Sequence, residues 1–360
     1  MVEFVSANPT GPLHIGHGRG AAVGDSLVRI LRKAGYTVIS EYYINDAGNQ
    51  METLGRSLQR RYLELAGEIN ESYPETYYQG EYLVDLARRL REERGTELVD
   101  PTDPDASLPL FTEYAGRLIL DGISDDLAAF GIRFDNWTSE KQLFEDGRVD
   151  RLIAELRERG QLYEQDGALW FPASRMGDEK DRVVVRSNGV KTYFASDIAY
   201  HRDKDERGFD VMVDVWGADH HGYVPRLAAA LQAVGIDSAR FVVILVQLVS
   251  LMRGEQPVAM STRAGQFVTL REVIDEVGKD AARFFFLMRR PDSHLDFDLE
   301  LAKSQSNENP VYYVQYAHAR ICSILRTAAE KGVAIPQTAA FDLSSLHLEE
   351  ELELIRKLDA

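Results

Sequence analysis

Apolar positions along this chain switch between two periods, and the order of the switches predicts an α/β fold. Residues 2–7 read as a short strand. Val23, Leu27, Ile30, Leu31 and Ala34 then recur at helical spacing up to Gly35, a C-terminal cap. Residues 38–44 continue as a second strand. From about Gly48 to Phe130 the spacing is helical, as in Leu83, Leu86, Ala87, Leu90 and in Tyr114, Leu118, Ile119, Ile123, Leu127, with a Pro- and Asp-rich break at 100–105. Alternation returns at 168–171 and 183–186. Strands at 211–216 and 241–249 follow, linked by a helix over 221–234 in the manner of a parallel crossover. The pattern therefore predicts a parallel sheet interrupted by a helical insertion, and from Asn309 onward the chain reads as helix.

Between the first strand and the first helix stands Asn8-Pro9-Thr10-Gly11-Pro12-Leu13-His14-Ile15-Gly16-His17-Gly18-Arg19-Gly20. At such a corner the unpaired backbone N–H groups and the positive end of the helix dipole favour an anion. Gly16, Gly18 and Gly20 let a ligand approach the backbone, while His14 and His17 add donors aimed at the same place. Read alone, Gly16-x-Gly18-x-x-Ala21 also fits the loose dinucleotide fingerprint, with Glu41 as its ribose ligand, but that reading gives the histidines no role.

Composition changes this picture only at its edges. The 360 residues, 44% hydrophobic, suffice for one large α/β core plus an insertion or a second smaller domain. Cys322 is the single cysteine, so no intramolecular disulfide forms and a reducing cytoplasm is expected. Neither a signal peptide nor an apolar run long enough to span a bilayer is present. Asn136-Trp137-Thr138 and Asn70-Glu71-Ser72 spell a glycosylation sequon without consequence in that compartment. The net charge of −17 opposes generic nucleic-acid binding and suits a cationic substrate. Local basic patches for a nucleic acid could be Arg88-Arg89-Leu90-Arg91 and Arg289-Arg290, and a solvated helix face explains each as well.

The histidine stretch resembles the HIGH motif of class I aminoacyl-tRNA synthetases, and its flanks resemble the arginyl branch in particular. Further blocks are similar in family order: Tyr42-Tyr43-Ile44-Asn45-Asp46-Ala47-Gly48-Asn49-Gln50, Trp216-Gly217-Ala218-Asp219-His220-His221-Gly222, Met260-Ser261-Thr262-Arg263-Ala264-Gly265 and Asn309-Pro310-Val311-Tyr312-Tyr313-Val314-Gln315-Tyr316-Ala317. The resemblance covers residues 3–325. It implies a Rossmann-like nucleotide-binding parallel sheet with a helical insertion and a C-terminal helical region. On that basis residues 1–50 hold the first half of the catalytic domain with the HIGH motif, and 51–130 the mostly helical insertion. Residues 131–290 hold the second half with the Met260-Ser261-Thr262-Arg263 loop, and 291–360 a connector with the start of a truncated helical tRNA- and anticodon-binding domain. With Met1 directly before the first core strand, the chain reads as a cloned catalytic fragment, a natural short form being the alternative.

The activity implied by the resemblance is ATP-dependent conversion of L-arginine to arginyl-adenylate, followed by transfer to the 3′-terminal adenosine of arginine tRNA. A related HIGH-type ligase with a small-molecule acceptor is the alternative. ATP is the expected substrate, with Mg2+ carried mainly on its phosphates; arginine and arginine tRNA are the expected partners of a cytoplasmic monomer without membrane contact. Negative charge builds on phosphate or carbonyl oxygens in both steps, so positioned donors suffice without a nucleophilic side chain. His14 and His17 are expected to donate to that charge, together with Met260, Ser261 and Arg263 of the second catalytic loop. Gly16, Gly18, Gly217 and Asp219 are expected to bind ATP, Asp219 through the ribose hydroxyls.

Where a KMSKS-type loop has two lysines this chain has Ala259 and Thr262, so the loop cation is expected from Arg263 or from Lys191. In the resembling family, residues matching Glu3, Asn8, Tyr193 and Asp197 contact arginine. Tyr193 and Asp197 are four apart and share a helical face. Two carboxylates and an amide can hold the planar five-donor guanidinium in a way that lysine cannot match. No protein-held metal is expected, because His220-His221 lacks a ligand spacing. Tyr312, Tyr313 and Tyr316 suit nucleotide stacking, or helix packing for at least two of them.

Overall fold

The computed structural model describes residues 1–67, 72–100, 102–258, 267–333 and 344–359. The chain divides into two compact units, Met1–Ser304 and Gln305–Ala360. The first unit begins with β1 (Val2–Phe4), α1 (Ile15–Lys33) and β2 (Ser40–Ile44). Three helices follow, α2 (Asn49–Ala66), α3 (Tyr82–Arg94) and α4 (Leu108–Ala129), and then β3 (Asn136–Ser139), α5 (Glu140–Glu145) and α6 (Arg148–Glu158). Next come β4 (Tyr163–Gln165), β5 (Ala168–Phe171), β6 (Arg182–Val185), α7 (Tyr193–Glu206), β7 (Met212–Gly217), α8 (Val224–Ala233) and β8 (Phe241–Val246). The unit closes with β9 (Val249–Arg253), β10 (Gln256–Pro257), α9 (Leu270–Val277), α10 (Lys279–Leu287), β11 (Leu295–Asp298) and α11 (Leu299–Lys303). The second unit contains α12 (Pro310–Glu330) and α13 (Glu349–Asp359).

The main sheet has five strands in the order β3-β2-β1-β7-β8, every neighbouring pair parallel. Because β2 leaves β1 on one side and β7 flanks it on the other, a crevice opens outside the carboxyl ends of β1 and β7, where ligands bind in such sheets. Helix α1 lies directly on β1: a Cβ added at Gly24 would stand 2.2 Å from Phe4 Cγ, so only glycine permits this approach. The helical insertion has its own apolar seam, in which Leu54, Leu58, Leu83, Leu90 and Phe111 are fully buried.

Four features differ from the sequence expectation. The first strand stops at Phe4 rather than Ala7, because Val5 (φ 69°) and Ser6 (φ 40°) take left-handed backbone that breaks the pleat. Residues 136–139 form β3 although Asn136, Thr138 and Ser139 are polar; pairing with β2 decides their conformation, not periodicity. The run 241–249 divides at Gln247, whose N–H donates to the Pro291 carbonyl (2.8 Å), so β8 stays in the main sheet while β9 joins β10 and β11. Residues 168–171 and 182–185 pair with β4 in a separate three-stranded antiparallel sheet.

Candidate active site

The histidine corner is built by capping. His14 is the N-cap of α1, its Nδ1 accepting the Gly16 N–H (3.1 Å), while His17 Nδ1 accepts the His14 N–H (3.2 Å). The rings stack with centroids 3.8 Å apart. Since each Nδ1 is an acceptor, the proton of each neutral ring sits on Nε2, leaving one N–H donor per histidine. Burial holds both imidazoles below their ordinary range, His17 down to about 3 with His14 adding to the effect, so both rings are neutral at physiological pH.

This capping corrects part of the anion-cradle expectation. The Gly16 N–H is spent on His14, and the His17 N–H donates to the His14 carbonyl (2.9 Å), so the imidazole Nε2–H groups and the helix dipole remain for an anion. Gly18 is corrected as well. It is buried, and a Cβ there would lie 2.8 Å from both Leu270 Cδ1 and Phe286 Cζ, which makes it a packing glycine rather than an opening for ATP. Gly16 leaves room for the His14 ring, 2.9 Å from the position of its absent Cβ. Arg19, fully buried, clamps the corner to later segments by donating to the carbonyls of Gln247 (3.0 Å), Arg290 (2.8 Å) and Ser293 (2.7 Å).

Met260, Ser261 and Arg263, with Ala259 and Thr262, lie outside the described residues. The segment beginning at Phe267 is tied to the corner: the Leu270 N–H donates to the Leu13 carbonyl (2.7 Å), and the Phe267 ring meets His14 edge-on at 6.1 Å.

Beside the corner, at the carboxyl ends of the central strands, opens a cavity of about 690 Å³. Glu3, Asn8, Tyr193, Asp197 and Gly217 all line it; His14, His17, Gly16, Gly18 and Asp219 do not. The left-handed kink at Val5 and Ser6 turns the chain into this space. It is held by Ser6 Oγ, which donates to Glu3 Oε1 (2.8 Å) and accepts the Tyr43 N–H (3.1 Å). Asn8 Nδ2 donates to Gln50 Oε1 (2.6 Å), and Tyr193, 65% exposed, stands at the rim. Asp197 accepts a short hydrogen bond from the Tyr223 hydroxyl; burial pushes its carboxyl up to about 6, against the opposing pull of that bond and of His201.

Glu3 differs from the expectation of a carboxylate awaiting a ligand cation, because the chain supplies one. Lys204 Nζ, fully buried on α7, donates to Glu3 Oε2 (2.6 Å) and to Asp214 Oδ1 (2.8 Å) and lies 4.3 Å from the Tyr200 ring centroid. His201 completes the cluster between the Asp197 carbonyl and Asp214 Oδ2, 2.8 Å from each. The sequence reading assigned no role to Lys204, His201, Asp214, Tyr43, Glu140 or Tyr223. A signal existed for two of them, since Asp197, His201 and Lys204 recur at i, i+4 and i+7 along one helix.

Asp219 and Gly217 stand at the end of β7, on the same edge of the sheet as the histidines. Asp219 keeps 69% of its side chain exposed and lies 3.7 Å from His220 Nε2. Lys191 lines the cavity, and its ammonium is held by Asp150 (2.7 Å). Glu41 cannot act as a ribose ligand: it is buried, bound by Arg207, Asn136 and Tyr200 and held down to about 2 by those bonds against the opposing effect of burial, which removes the dinucleotide reading. In the first basic patch Arg88 pairs with Asp85 and Arg89 with Glu93, as on a solvated helix face; Arg290 pairs with Asp292. Among the described residues no group of three His, Cys, Asp or Glu side chains is placed to hold a metal, and no helix is long and apolar enough to cross a membrane. In the second unit Tyr313 and Tyr316 are exposed.

Comparison with known proteins agrees with the geometry. The family described as tRNA synthetases class I (R), catalytic domain, matches residues 1–289, and the DALR anticodon binding domain matches 314–360. The chain is 62% identical over 358 residues to an arginine–tRNA ligase of Syntrophotalea carbinolica, covering 99% of this chain and 64% of that protein. It is 56% identical over 365 residues to one of Desulfovibrio desulfuricans, covering 100% and 65%. The chain thus spans just under two thirds of the length of these relatives. A crystal structure from Campylobacter jejuni, assigned as an arginyl tRNA synthetase, superposes with a TM-score of 0.88 at 42% identity, over 99% of this chain and 76% of that one. The arginyl-tRNA synthetase of Thermus thermophilus shares the fold at 24% identity, with a TM-score of 0.75 over 99% and 68% of the two chains. By the match over most of its length, this chain belongs to the class I (R) tRNA synthetase family.

Proposed function

We propose that this chain carries the site that activates L-arginine with ATP and passes it to the 3′-terminal adenosine of arginine tRNA. The observation that carries the reading is the acid-walled cavity beside the histidine corner, since partly buried Asp197 has no cationic side chain on its carboxylate among the described residues. A guanidinium would supply that charge and five directed donors. Tyr193 and Asn8, which line the same cavity, suit the rest of the amino acid.

In the first step a carboxylate oxygen of arginine forms a bond to the α-phosphorus, the bond to the β-phosphate oxygen breaks, and pyrophosphate leaves. His14 and His17 serve this step as neutral Nε2–H donors to the phosphate oxygens, and being neutral they need no deprotonation to stay in that tautomer. In the second step a ribose hydroxyl attacks the carbonyl carbon and AMP departs. Asp219, exposed just after the end of β7, suits the ribose hydroxyls of ATP. Mg2+ bound to the triphosphate would neutralise the pyrophosphate as it leaves. Met260, Ser261 and Arg263 are the further residues proposed to act on the phosphate charge. A cytoplasmic monomer suits this role.

The test is arginine-dependent ATP–pyrophosphate exchange with and without arginine tRNA, and lysine as the control amino acid. Exchange with arginine that requires tRNA is the expected result. Exchange independent of tRNA would move the reading to a small-molecule acceptor, and exchange with lysine would overturn the guanidinium pocket.

A further inference from the structure

We propose that Tyr82, the first residue of α3 in the helical insertion, is a positioning residue whose hydroxyl latches the turn leading into the histidine corner and so sets where His14 and His17 present their donors. This rests on the reading of those histidines as phosphate donors. Between Phe4, where β1 ends, and Ile15, where α1 starts, the chain belongs to no helix or strand, so contacts from other segments must hold it. Near its two ends they come from the catalytic domain: the Tyr42 hydroxyl of β2 donates to the Ala7 carbonyl (2.8 Å), and the Leu270 N–H of α9 to the Leu13 carbonyl (2.7 Å). In the middle they come from the insertion. The Tyr82 hydroxyl donates to the Thr10 carbonyl (2.5 Å), and the Tyr78 hydroxyl shares a hydrogen bond with the Thr10 side chain.

Two glycines make room for this contact. A Cβ at Gly80 would lie 2.3 Å from Tyr82 Cε1, so only glycine lets the ring take its place there. Gly11 lays its backbone against the same ring, with the position of its absent Cβ 3.4 Å from the hydroxyl oxygen. Burial pushes the Tyr82 hydroxyl above its ordinary range, so it stays protonated and remains a donor at physiological pH.

The turn itself is stiff. The Thr10 N–H donates to the Asn8 carbonyl (2.7 Å), and Pro9 and Pro12 each fix one backbone dihedral. With few soft torsions left, a displacement at Thr10 is passed along the chain rather than absorbed. Asn8 is fastened separately to Gln50 (2.6 Å), so the displacement goes towards His14. Donors that meet charge developing on a phosphate depend on placement within a fraction of an ångström, whereas binding of the whole nucleotide is spread over many contacts. Loosening the latch therefore lowers kcat and leaves KM in place.

The experiment compares Tyr82→Phe with the unsubstituted 360-residue chain and with Tyr62→Phe. Phenylalanine keeps the ring and removes only the hydroxyl. Tyr62 is the control: fully buried on α2 in the same insertion, it donates to the Gly95 carbonyl (2.8 Å), away from the corner, so Tyr62→Phe costs the insertion a comparable bond. Two quantities are read: kcat and KM in arginine-dependent pyrophosphate exchange with arginine tRNA present, and the imidazole 1H–15N resonances of chain labelled with 15N-histidine, assigned through His14→Gln and His17→Gln. We expect Tyr82→Phe to lower kcat roughly 3- to 10-fold, the value of one neutral hydrogen bond, with both KM values within about twofold, and to move the His14 and His17 resonances. Tyr62→Phe should do neither. Unmoved His14 and His17 resonances in Tyr82→Phe would overturn the proposal, as would the same changes in Tyr62→Phe. If Tyr82→Phe does not fold, Gly80→Ala displaces the ring with its hydroxyl intact, and unmoved resonances there overturn it equally. Absence of exchange in the unsubstituted chain would overturn the arginine reading, while the resonances, which need no substrate, still decide the latch.

Discussion

Replacing Lys204 with methionine tests the charge arrangement behind the cavity. The ammonium is fully buried between Glu3 Oε2 and Asp214 Oδ1, both acids themselves being buried. Methionine fills similar volume but leaves two buried carboxylates without their shared cation, a change that typically costs about 3–5 kcal/mol. The pH dependence carries the sharper signature. Burial drives Asp214 upward, but Lys204 and His201 outweigh it and hold the carboxyl down to about 2, so its contribution is present above the unfolded value near 3.9 and lost as pH falls towards 2. For Glu3 burial dominates even with the lysine in place, and its carboxyl sits above the usual range. Without Lys204 both folded-state values lie above the unfolded ones, so the folded form binds more protons and the deficit shrinks as pH falls from neutrality towards about 4. Urea unfolding followed by circular dichroism should show a loss of about 3–5 kcal/mol at pH 7.5 and at least about 1 kcal/mol less at pH 5. A loss below about 1 kcal/mol, equal at the two pH values, would refute the claim that Lys204 compensates these acids.

Asp197→Asn removes a carboxylate and keeps its shape; the arginine KM in pyrophosphate exchange should rise roughly 10- to 100-fold with the ATP KM nearly unchanged, and an unchanged arginine KM would take Asp197 out of the pocket. Arg19→Lys cannot reproduce the fork that reaches the carbonyls of Gln247, Arg290 and Ser293, so thermal unfolding should report a loss of about 1.5–3 kcal/mol; an unaltered transition would show that the clamp carries no stability.

The chain order of strands and helices was legible where periodicity is long, as in α1 with its Gly35 cap (φ 93°), β2, β7 and α12. It failed at β3, four residues of which three are polar and whose strand character comes from pairing with β2. That failure hid Glu140, because a residue can be placed at the ligand edge only after its strand is recognised. The histidine motif was readable because its residues are contiguous. The acid pocket was readable in part, since Tyr193 and Asp197 share a helical face and both reach the cavity.

What sequence alone determined is the local chemistry: a corner able to meet an anion, acids able to meet a cation, and the elements that carry them. Tertiary structure alone decided which groups are free. Gly16 and Gly18 are occupied by the His14 ring and by Leu270 and Phe286, Glu41 by Arg207, and Glu3 by Lys204, which lies 201 residues away in the chain. Charge compensation acts over a few ångströms, and contacts of that range between distant segments have no signature in local periodicity or spacing.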